Sequence, residues 1–91
     1  MVKELDIRIT GRVQMVMYRD FAQRKARSLG IVGTVQNQKD GSVHVIAQGE
    51  EEILKEYIEL LKKGPTFARV DSVETTELPE LGKYAIFNII F

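Results

Sequence analysis

The residues able to do chemistry in this 91-residue chain gather in one stretch, Gln14-Met15-Val16-Met17-Tyr18-Arg19, which follows an alternating apolar segment and precedes a helical one. A loop that runs from a strand into a helix turns several backbone N–H groups into one concavity. The helix start adds unpaired donors and the positive end of a dipole. Arg19 stands at that start, where its guanidinium can reach back over the cavity and grip two phosphate oxygens as a fork. The chemistry implied is anion binding, and the plain alternative is a surface arginine paired with a carboxylate near Asp20. Asn37 ends an apolar run just before Lys39-Asp40-Gly41, where an asparagine by itself reads as support for a turn.

Other polar residues offer less. His44 is the single histidine and alternates with Val43 and Val45, which puts it on the opposite, exposed face of a strand. With no histidine pair and no cysteine there is no metal-ligand spacing, so no metal is expected. The run Glu50 to Glu52 suits a helix dipole better than paired-carboxylate catalysis. Acidic and basic side chains balance at 13 each, without a long block of either sign. That excludes the global field of a polyelectrolyte binder and leaves any anion site local. The absence of cysteine fits a reducing compartment, and Met1-Val2-Lys3-Glu4 leads into the first strand without an apolar signal core. A cytoplasmic protein with no membrane partner is the expectation.

The elements that must position Arg19 and Asn37 follow from periodicity. Leu5, Ile7 and Ile9 alternate with Asp6, Arg8 and Thr10 as a strand with one buried face, ended by Gly11. Tyr18, Ala22, Ala26 and Leu29 recur at helical steps, with Phe21 beside them and Gly30 as a left-handed cap. Ile31, Val32 and Val35 form a second strand reaching Asn37. Asp40-Gly41 makes a hairpin turn into a third strand through Val43, Val45 and Ala47. Ile53, Leu54, Tyr57, Ile58 and Leu61 stripe a second helix, acidic at its start, basic at Lys62 and Lys63, and stopped by Gly64-Pro65. A fourth strand spans roughly 68 to 76, with a bulge where the apolar phase shifts before Val73. Ala85, Phe87, Ile89 and Phe91 then alternate to the last residue. The order predicts one α+β domain over residues 1–91: a ferredoxin-like βαββαβ sandwich with an added C-terminal strand and two helices on one face of an antiparallel sheet.

Gly11-Arg12-Val13-Gln14-Met15-Val16-Met17-Tyr18-Arg19 resembles the acylphosphatase signature Gly-x-Val-Gln-Gly-Val-x-(Phe/Tyr)-Arg. Gly33-Thr34-Val35-Gln36-Asn37 resembles that family's second element, Gly-x-Val-x-Asn, and similarity continues through Asp40-Gly41-Ser42-Val43, Ala47-Gln48-Gly49 and Gly64-Pro65. The resemblance implies hydrolysis of the carboxyl-phosphate anhydride of a small acyl phosphate, without metal or cofactor, by a monomer. It assigns Arg19 and the amides of Gln14, Met15, Val16, Met17 and Tyr18 to the phosphoryl group, and Asn37 to orienting the attacking water. Both roles suit a reaction that depends on positioning and on neutralising phosphoryl oxygens.

The family's loop has glycine where this chain has Met15. If the loop needs positive φ there, methionine costs on the order of 1–3 kcal/mol or rearranges the loop. If it needs only negative φ, the donor is kept. A third possibility is that Val13, Met15 and Met17 continue the parity of the first strand as an apolar surface over the site. A weakened anion-binding or regulatory domain is therefore the competing function. RNA binding, which this fold also serves, is disfavoured because Gly41-Ser42-Val43-His44-Val45 lacks stacking aromatics.

Overall fold

The computed structural model describes residues 1–91 and places seven elements along them: β1 (Val2–Arg12), α1 (Tyr18–Ser28), β2 (Val32–Asn37), β3 (Val43–Glu50), α2 (Glu51–Lys63), β4 (Arg69–Glu77) and β5 (Phe87–Ile89). The sheet order is β4-β1-β3-β2-β5. β1 pairs antiparallel with β3 and with β4, and β3 pairs antiparallel with β2. The ferredoxin-like arrangement of the first six elements is as expected. The added strand departs from the expected antiparallel sheet: β5 runs parallel to β2, so the sheet is mixed. Leaving β4 at one edge, the chain crosses the outer face, where Glu4 Oε1 accepts from the Gly82 N–H at 2.8 Å. It then enters the opposite edge alongside β2.

One face of the sheet is apolar because the strands alternate. Ile7, Ile9, Val35, Val43, Val45 and Ala47 are fully buried under Tyr18, Ala22 and Ala26 of α1 and Leu54, Tyr57 and Leu61 of α2. Each such large side chain contributes roughly 1.5–3 kcal/mol of burial. The buried tyrosines keep their hydroxyls satisfied, Tyr18 donating to the Leu61 carbonyl at 2.6 Å and Tyr57 to that of Ala22 at 2.9 Å.

The limits of β1 and of the last strand differ from the sequence reading. β1 does not stop at Gly11 but continues to Arg12 against β4, with the expected bulge at the step where Thr10 faces Ser72 and Gly11 faces Val70. Gly11, at φ 122°, is required because a Cβ there would collide with the Arg69 carbonyl. Gly33 is required likewise by the Ile46 carbonyl, so both motif glycines serve strand packing. The last strand is only three residues long. Ala85 is exposed and Phe91 lies outside the sheet.

Candidate functional site

The loop between β1 and α1 bends through two left-handed residues, Met15 at φ 60° and Met17 at φ 64°. Such alternation turns successive N–H groups toward one point. Non-glycine residues resist this conformation by about 1–2 kcal/mol each. Of the alternatives at Met15, the structure shows positive φ, with methionine adopting it. Val13, Met15 and Met17 all border the cavity beside this loop, but not as a continued strand face: Val13 and Val16 are buried in the core, while Met15 is 99% exposed and Met17 71%. Strand parity ends at the first left-handed residue, because the turn rotates each following side chain.

The backbone amides of Met15, Val16, Met17, Tyr18, Arg19 and Asp20 donate to no protein acceptor, and the first helical bond is Phe21 N–H to the Met17 carbonyl at 3.1 Å. Met17, the N-cap, offers no side-chain acceptor to the amides that follow. Six consecutive donors are therefore free to face an external anion.

Arg19 is half-buried and takes part in no ion pair. The neighbouring carboxylate, Asp20, accepts instead from Arg24 Nε at 2.8 Å. The guanidinium carbon of Arg19 lies 5.1 Å from the centre of the Phe91 ring, within range of a cation–π contact. Sequence spacing gave Phe91 no role beyond strand alternation. Nothing in its neighbourhood announced that the chain leaves the sheet and turns this ring toward Arg19.

Asn37 ends β2 as expected. Its Oδ1 is buried without a hydrogen-bond partner in the protein. An acceptor so placed costs about 1–3 kcal/mol unless a donor is supplied from outside. Arg19, Asn37, Met15, Met17, Tyr18 and Phe91 border one cavity of about 460 Å³. The two residues singled out from distant parts of the sequence are thus brought to the same depression. The Gln14 side chain, to which the sequence reading gave no role, ties the loop to the hairpin after Asn37: Nε2 donates to the carbonyls of Gln38 at 2.7 Å and Ser42 at 2.8 Å.

That hairpin is held by Asp40. Its Oδ1 accepts from the Ser42 hydroxyl at 2.6 Å and the Ser42 N–H at 3.0 Å, and Oδ2 accepts from Arg8 at 2.8 Å. The Ser42 hydroxyl first, then Arg8, keep the Asp40 carboxyl well below the usual carboxylate range. On the outer sheet face His44 Nε2 lies 2.9 Å from Asp6 Oδ1, a pairing of strand neighbours that does not reach the cavity. No three His, Asp or Glu side chains are grouped to hold a metal ion, and no helix is long and apolar enough to cross a membrane.

A family model described as Acylphosphatase matches residues 5–89. An acylphosphatase of Caldanaerobacter subterraneus subsp. tengcongensis is 48% identical over 89 residues, covering 98% of this chain and 99% of that protein. The crystal structure of acylphosphatase from Bacillus subtilis superposes with a TM-score of 0.95 at 34% identity, covering both chains fully. An acylphosphatase structure from Coxiella burnetii gives 0.93 at 29% identity over 98% of this chain and 93% of that one.

Proposed function

The chain belongs to the acylphosphatase family, hydrolases acting on acid anhydrides, and we propose that it splits acyl phosphates by direct attack of a water held at Asn37. The phosphoryl group is held by Arg19 and the amides from Met15 to Asp20. The observation that carries this reading is the single cavity bordered by an arginine without a carboxylate partner, an unsatisfied buried carboxamide and a loop of unpaired N–H groups.

In this mechanism the dianionic phosphoryl group sits in the concavity of amides, with the Arg19 fork neutralising charge on its equatorial oxygens. The Asn37 carboxamide accepts a hydrogen bond from the water through Oδ1 and so fixes the direction of attack. The water oxygen forms a bond to phosphorus and the bond from phosphorus to the acyl oxygen breaks. The electron pair leaves on the carboxylate, and one water proton ends on a phosphate oxygen, giving a carboxylate and dihydrogen phosphate. A carboxylate leaves readily and the transition state is loose, so no strong general base is needed. Tyr18 supports the site from beneath, its ring in the core and its amide at the helix start. We take the protein to act as a monomer in the cytoplasm.

The test is hydrolysis of acetyl phosphate by purified protein without added metal. Arg19→Ala and Asn37→Ala are each expected to lower kcat/KM by about 100-fold or more, the scale of losing a preorganised oxyanion donor. An unchanged rate in either variant removes that residue from the mechanism.

A further inference from the structure

A second cavity of about 450 Å³ shares Met15 and Met17 with the first and is bordered also by Phe67, Arg12 and Arg24. We propose that it receives the acyl group of the substrate, so that the enzyme favours acyl phosphates carrying an apolar chain. The inference rests on the catalytic reading above and adds the substrate class to it.

In-line displacement sets the leaving oxygen opposite the attacking water across phosphorus. Asn37 borders the anion cavity and a polar hollow on the outer sheet face, but not the cavity at Phe67. Met15 and Met17 border both the anion cavity and the one at Phe67. The three depressions therefore follow one another in the order of water side, phosphoryl seat and leaving-group side, with the two methionines between the last two. The polar hollow, lined by charged groups such as Asp6, Arg8 and Asp40, is unsuited to an alkyl chain.

The leaving-group side is more apolar, with four of its eight lining residues hydrophobic. Met15 is 99% exposed and Phe67 78%. An apolar surface of this kind loses water when an acyl chain covers it. Methionine adapts to chains of different shape, and left-handed backbone at both positions turns the side chains outward from the core. Arg12 and Arg24 also border this cavity, and a cation there suits the negative charge that develops on the departing carboxylate.

Acetyl phosphate and hexanoyl phosphate distinguish the outcomes, with kcat/KM measured for the wild-type chain, Phe67→Ser and Met15→Gly. The expected wild-type ratio of hexanoyl to acetyl is about 10 or more, the scale of a few methylenes in an apolar site. It falls several-fold in both variants. Because Phe67 and Met15 are exposed, neither substitution opens a hole in the core. A wild-type ratio at or below one, or a ratio unmoved by Phe67→Ser, overturns the acyl subsite while leaving the catalytic reading intact. Failure to hydrolyse either compound overturns both.

Discussion

The side-chain amide of Gln14 donates to the carbonyl of Ser42 at 2.8 Å, fastening the phosphate loop to the hairpin that follows Asn37. The same nitrogen reaches the Gln38 carbonyl at 2.7 Å. Arg19 and Asn37 lie on separate elements, so their relative placement depends on ties of this kind. Gln14 thus acts by positioning rather than by touching substrate through its side chain.

Gln14→Leu keeps much of the bulk and removes both bonds. The two carbonyls retain other partners in the turn, Gln38 N–H to Ser42 and Gly41 N–H to Gln38. Destabilisation of only about 1–2 kcal/mol is therefore expected in urea unfolding. Loosening the loop against Asn37 is expected to lower kcat for acetyl phosphate about 10-fold or more with a smaller change in KM. Full activity in Gln14→Leu would show that the two halves of the site are held together by something else.

Met15→Gly bears on the competing idea of a weakened domain. The left-handed conformation is already adopted and the amide is present in either residue. Relief of strain, about 1–2 kcal/mol, is opposed by the extra freedom glycine gains when unfolded, about 0.5–1 kcal/mol. A stability change within about 1 kcal/mol is expected by thermal unfolding, and kcat/KM for acetyl phosphate rises less than about 5-fold. A gain of 100-fold would mean that methionine had disabled the loop.

Two buried tyrosines are expected to contribute to a loss of stability at alkaline pH. Burial raises the phenol of Tyr18 above its ordinary 10.0, and burial followed by the neighbouring Tyr18 raises that of Tyr57. Both groups contribute fully below pH 10, where they are neutral folded or unfolded. Above it the unfolded chain releases protons first, so stability falls as pH rises toward the folded values. Urea midpoints at pH 8, 10 and 11 should decline over the upper interval, and decline less steeply in Tyr18→Phe, which also loses about 1 kcal/mol at pH 8 with its bond to Leu61. Identical slopes would locate the alkaline transition elsewhere.

The helices and the first four strands were legible because their side chains repeat at 3.6 or 2 residues and because Gly30, Asp40-Gly41 and Gly64-Pro65 punctuate them. The resemblance of two short motifs pointed to Arg19 and Asn37, and the fold brings both to one cavity. Three features were not legible. Gly11 reads locally as a strand breaker, and only the Arg69 carbonyl across the bulge shows that it lies within the sheet. The parallel sense of β5 depends on where the chain after β4 crosses the sheet, which the alternation of Phe87 and Ile89 does not encode. Phe91 continued that alternation in the sequence, but its contact with Arg19 is a tertiary one, 72 positions apart, with no local signal.

The central claim is that the amides from Met15 to Asp20, Arg19 and Asn37 form one seat for a phosphoryl group. Titration of inorganic phosphate into ¹⁵N-labelled protein, followed residue by residue in amide spectra, tests it most directly. The account requires the amides of Met15 through Asp20 and the Asn37 side chain to shift together and saturate with a common Kd, and the response to disappear in Arg19→Ala. Shifts centred on another surface, or an undiminished response in Arg19→Ala, would contradict it.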